Sequence, residues 1–151
     1  MNRYGTLLRA TLVAGVTTVA LAGCGMMGMM KSNTASFSGV MNGASEVPPN
    51  MTRGSGTAEA WLDKGTNVLK YKITYTGLSG PATASHFHGP AVAGANAGVV
   101  VPFLNPASPI EGQATLTPAQ VADLMAGKWY ANVHTAAHPG GEIRGQMLPK
   151  M

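Results

Sequence analysis

Leu69-Lys70-Tyr71-Lys72-Ile73-Thr74-Tyr75 decides the fold, because its odd positions are apolar and its even positions polar. A period of two puts every apolar side chain on one face of an extended strand, the pattern of a sheet with one side on a core and the other in water. Just upstream, Lys64-Gly65-Thr66-Asn67 has the composition of a hairpin turn, which makes Gly56–Leu62 the natural partner of a strand over Val68–Thr76. Working outward, further strands are expected at Ser36–Met41, Ala82–His88, Gly98–Phe103, Ile110–Leu116, Trp129–His134 and Glu142–Leu148, separated by turns rich in glycine and proline.

One helix interrupts this series. Thr117 is suited to cap it, Pro118 to open it, and Gln120 to complete a capping box, while Gly127 stops it after Val121, Leu124 and Met125 have formed an apolar stripe. About eight short strands with one helical connection predict an all-β fold, a single antiparallel, Greek-key-like β-sandwich with one short helix. The pattern shows no repeat of solenoid length.

The N-terminus reads differently. Arg3 and Arg9 precede an apolar run from Ala10 to Ala22, too short to span a bilayer stably, and Leu21-Ala22-Gly23-Cys24 ends it with small residues before the only cysteine. This is the layout of a bacterial lipoprotein signal peptide over residues 1–23. The tetrad resembles a lipobox, which implies that the Cys24 thiol is lipidated and becomes the mature N-terminus. Gly25 after it, in place of an aspartate, favours the outer membrane of the bacterial envelope. Residues 24–35, with Met26, Met27, Met29 and Met30, lack both apolar periods and read as a tether. Their thioethers suit either Cu(I) or the bilayer surface.

Cleavage removes two arginines and leaves eight basic against six acidic residues in the mature chain, whose domain spans residues 36–151. So few and scattered charges exclude a nucleic-acid partner, which demands a basic footprint. There is no Gly-x-Ser-x-Gly elbow, phosphate loop or His-Glu-x-x-His, so hydrolase chemistry has no carrier. What remains is histidine. All four lie in two segments, His86-Phe87-His88 and His134 to His138.

In a strand His86 and His88 share a face, with Phe87 on the other. The same alternation puts Tyr130, Asn132 and His134 on one face and Trp129, Ala131 and Val133 on the other. If the two strands are neighbours, three imidazoles meet, and neutral imidazole suits copper first and zinc second. His138 is a fourth ligand or a residue of an exposed Pro-Gly-Gly turn. Glu142 either orients an imidazole from outside the metal's ligand shell or pairs with Arg144.

Glu46-Val47-Pro48-Pro49, His86-Phe87-His88-Gly89-Pro90-Ala91, Leu78-Ser79-Gly80, Leu116 to Gly127 and His134 to Gln146 together resemble the CHRD domain, over residues 36–148. That family, named for chordin, occurs in many secreted bacterial proteins, and in chordin its domains sit among modules that bind growth factors. The resemblance is specific for the family and much less so for function, and two readings stand: an envelope domain that holds a metal on these histidines, or a module whose histidines brace loops while an exposed sheet edge or face engages an envelope protein or a glycan. More remotely, a His-x-His strand and a later strand ending in His is similar to the copper site of Cu/Zn superoxide dismutases, with His86, His88 and His134 as the implied copper ligands. The chain departs from that pattern in lacking a cysteine pair and a zinc loop. It also carries Glu142 where an arginine would guide the anionic substrate, and a carboxylate there would repel superoxide.

Overall fold

The computed structural model describes Met1 and residues 33–150. Apart from Met1, the expected signal peptide lies outside the described residues, as do Cys24 and the methionine-rich part of the expected tether. The described residues 33–150 fall in one compact unit. Its strands are β1 (Thr34–Asn42), β2 (Ser55–Asp63), β3 (Val68–Thr76), β4 (Ala82–His88), β5 (Val99–Pro102), β6 (Ile110–Thr115), β7 (Trp129–Thr135) and β8 (Ile143–Pro149). The helix α1 (Pro118–Met125) lies between β6 and β7. Strand β1 thus starts at Thr34, two residues before the expected Ser36, because Thr34 and Ala35 pair with Asp63 and Leu62 of β2.

The fold is all-β and antiparallel, and all eight strands belong to one sheet in the order β5-β4-β7-β8-β1-β2-β3-β6. The sheet rolls up so that its halves face each other across a common core. Tyr71 of β3 stacks on Phe103 at 4.6 Å and meets the edge of Phe87 of β4 at 5.4 Å, joining strands far apart in the strand order. The roll does not close. Val101, Phe103, Ile110 and Leu116 line a groove of about 640 Å³ between the edge strands β5 and β6.

The alternation of β3 is realised over most of its length: Leu69, Tyr71 and Ile73 are buried, Tyr75 is half-buried, and Lys70, Lys72 and Thr74 are exposed. Burial of each large apolar side chain contributes ~1.5–3 kcal/mol, and Phe37, Leu62, Leu69, Ile73, Phe87 and Trp129 are all fully buried. The turn before β3 is fixed by Asp63, whose Oδ1 accepts from the backbone N–H of Gly65 and Thr66, with Asn67 at φ 56°. Helix α1 has the expected capping box: Gln120 N–H donates to Thr117 Oγ1 and Thr117 N–H to Gln120 Oε1. Leu124 is buried and Val121 packs on the core, but Met125 is exposed, so the stripe is narrower than its sequence suggests. Among the described residues no helix is long and apolar enough to cross a membrane.

Candidate metal centre

Strands β4 and β7 are neighbours, and their register sets the site. His86 lies opposite Asn132, His88 opposite Tyr130, and Ala84 opposite His134. The inward residues Phe87, Trp129, Ala131 and Val133 are fully buried, so the outward face of this pair carries the polar side chains. The three imidazoles converge there. One ring nitrogen from each of His86, His88 and His134 lies within 4.8 Å of the others, and the ring centroids are 5.1 Å (His86–His134), 5.4 Å (His86–His88) and 6.4 Å (His88–His134) apart.

Backbone carbonyls orient two of these rings. His88 Nδ1 donates to Ala97 O at 2.9 Å, and His134 Nδ1 donates to Pro139 O at 3.0 Å. This is how metal-ligating histidines are usually held, since a fixed Nδ1–H leaves the Nε2 lone pair aimed at the ion. Both Nε2 atoms point at the side chain of Asn132, at 3.1 Å from His88 and 3.0 Å from His134. His86 Nδ1 is buried and meets no hydrogen-bond partner. Burial, followed by repulsion from the His134 and His88 rings, holds His86 below the usual imidazole pKa. Burial also lowers His134, against the bond to Pro139 O. Both are therefore held toward the neutral, ligating form. Three convergent imidazoles, one with an orphaned nitrogen, fit a first-row transition metal by their donor set.

The loop between β4 and β5 closes one side. Arg144 of β8 is buried and donates to Asn96 Oδ1 at 2.9 Å and to Ala95 O. Its guanidinium sits 3.3 Å over the Tyr130 ring, which in turn stacks on His88 at 4.8 Å with the planes 1° apart. The Tyr130 hydroxyl accepts from Ala97 N–H at 3.2 Å. Arg144 and Tyr130 thus clamp the loop that presents Ala97 O to His88. The loop can lie this close because Gly89 packs against Trp129, where a Cβ would meet the indole at 2.5 Å.

A family model of the CHRD domain matches residues 37–147. The chain belongs to the CHRD family. No curated protein and no solved structure matches it.

Two expected site residues of this CHRD domain lie elsewhere. Glu142 orients no imidazole and does not pair with Arg144. Its fully buried carboxylate accepts from Ser79 N–H (2.7 Å), Ser79 Oγ (2.6 Å), Thr135 Oγ1 (2.6 Å) and Thr52 Oγ1 (2.5 Å). Burial raises its pKa, but these four donors outweigh burial and bring it down to about 2. The orienting role falls to Ala97 O and Pro139 O, which carry no side-chain signature in sequence. His138 stands outside the group of three, on the turn closed by its N–H to Thr135 O at 3.2 Å.

Glu46, of the Glu-Val-Pro-Pro motif, packs its carboxyl against Gly141, whose φ of 131° and lack of Cβ permit the contact. Its Oε1 is buried without a partner. Burial pushes the carboxyl up to about 7 from its ordinary 4.5, although the Arg144 charge and a backbone hydrogen bond from Val47 oppose this. The folded state therefore favours the neutral acid. That contribution is fully present below the ordinary value and is lost as pH rises through about 7. Glu46→Gln should flatten this dependence and raise the melting temperature at pH 8 but not at pH 4, with a ceiling of ~3 kcal/mol. Thermal melts at the two pH values check it.

Proposed function

We propose that this CHRD domain holds a transition-metal ion, copper first and zinc second, on His86, His88 and His134. Its role is metal holding or handling in the bacterial envelope, without turnover. The observation that carries the reading is the convergence of three ring nitrogens within 4.8 Å on strands whose core-facing residues lock their direction. The orphaned His86 Nδ1 and the carbonyls that pin His88 and His134 support it. Isothermal titration of Cu(II), with Zn(II) alongside, into the full chain should give one ion per chain at submicromolar strength. Absence of saturable binding for either ion rejects the reading.

A second reading rests on the same two hydrogen bonds. His88 and His134 brace the Ala97 and Pro139 loops, as they would in a module that engages an envelope protein or a glycan and uses histidine for structure. Alanine variants would then melt earlier, with no effect of metal on wild type.

The Leu21-Ala22-Gly23-Cys24 sequence supports anchoring of the domain through lipid on Cys24, with the outer membrane as its destination. Cys24→Ser should abolish palmitate incorporation and move the protein from the membrane to the soluble fraction. Retention of label by the variant would refute lipidation at that residue.

A further inference from the structure

The groups between the imidazoles pose a pairing problem that identifies a further residue of the site. Ala97 O and Pro139 O can only accept, so the protons of the neutral His88 and His134 rings reside on Nδ1. Each Nε2 then presents a lone pair to the Asn132 side chain, 3.1 and 3.0 Å away. An amide oxygen facing two lone pairs is repulsive. A half-turn about χ2 exchanges Oδ1 for Nδ2, and the terminal NH₂ has two N–H bonds, one for each Nε2.

The Asn132 backbone is fixed. The residue sits mid-strand between His86 and Arg144, and its carbonyl accepts from Ser85 Oγ at 3.0 Å. It is 3% exposed, so water does not compete for these bonds. The side chain alone is free to change partners.

We propose that the Asn132 amide is a built-in competitor for the metal: in the metal-free protein its NH₂ group holds the His88 and His134 lone pairs, and it must release both before an ion can bind. This deepens the metal-holding reading and rests on it. A lone pair that accepts an N–H cannot also bind a metal, so every ion displaces two hydrogen bonds. The amide thereby sets a threshold. Copper, at the top of the affinity order for nitrogen donors, passes it most readily, and weaker imidazole binders such as Mn(II) are turned away.

The test uses the full chain and has two arms. In the metal-free protein, nitrogen-15 NMR should show His88 and His134 in the Nδ1–H form, with the Asn132 NH₂ coupled to both Nε2 atoms. Finding Nε2–H on either ring overturns the proposal whether or not the protein binds metal. In the second arm Asn132→Ala should bind Zn(II) about tenfold more tightly than wild type, the equivalent of two modest hydrogen bonds no longer displaced. Weaker binding would make Asn132 a ligand, and unchanged binding a bystander, and either overturns the proposal. If wild type shows the NMR couplings but takes up no Zn(II) or Cu(II), it is the metal-holding reading that fails. Should Asn132→Ala not fold, the first arm decides alone.

Discussion

His86→Ala/His88→Ala/His134→Ala should abolish the stoichiometric Cu(II) binding proposed for the chain, whereas His138→Ala should leave it at the wild-type value. The first variant removes every ring nitrogen of the convergent group, and the second removes an imidazole that lies outside it. Loss of a single outer partner of a metal ligand typically costs roughly 10–100-fold in affinity, so loss of all three ligands should exceed that range. The triple variant also gives up the bonds to Ala97 O and Pro139 O, at about 1 kcal/mol each, and should melt earlier even without metal. The diagnostic result is thus the effect of metal on stability. Wild type should gain thermal stability on adding Cu(II), as any ligand of the native state requires, and the triple variant should not. A triple variant that kept the gain would move the metal away from these histidines.

Acidity should act in the same direction. Because His86 and His134 are held below the ordinary imidazole pKa, their neutral forms are favoured in the fold. That stability is complete above the ordinary value and is lost as pH falls through the depressed ones. Metal retention should fall over the same interval, since protons and the ion contend for the same nitrogens.

The largest loss of stability is expected outside the histidine cluster itself, at Glu142. Glu142→Gln replaces a fully buried carboxylate that accepts four hydrogen bonds with an amide that has a single acceptor oxygen. At least one hydroxyl or the Ser79 N–H loses its acceptor, and hydrogen bonds to a charged group are the stronger kind, ~1.5–3 kcal/mol each. A total of about 3 kcal/mol is expected, read from urea unfolding at pH 7. The difference from wild type should narrow in acid, because the folded carboxylate titrates at about 2 and its contribution is lost as pH falls toward that value. A loss under ~0.5 kcal/mol would show that the hydroxyls re-pair without it. Glu142 joins the segments around Thr52 and Ser79 to the start of β8, next to the turn that carries Pro139 O, so the variant should also loosen His134.

Much of this was legible because strand alternation is a local rule. The bounds of β3 and β4 match the sequence expectation residue for residue, and the capping box at Thr117 and Gln120 could be read from four letters. The convergence of three histidines follows from alternation plus one condition, that β4 and β7 are neighbours. What escaped the sequence depends on long-range closure. Ser79 and Thr52 stand 63 and 90 residues from Glu142, and no local pattern announces that their hydroxyls face its carboxylate. The acceptors that fix His88 and His134 are backbone carbonyls, which any residue possesses. Asn132 was placed on the correct face, but its position between two Nε2 atoms emerged only once both loops were folded over the sheet.

The unclosed roll leaves two strands with a free edge, and each is poorly suited to recruiting another chain. β5 spans four residues and ends at Pro102, which has no N–H to offer. On β6, Glu111 lies opposite Lys72 and bridges it at 2.8 Å. The bridge is too exposed to stabilise the fold much, but a charged pair beside an open ladder discourages a foreign strand from docking. The chain thus keeps a gap in its barrel while blunting the sites at which fibre-like stacking would begin.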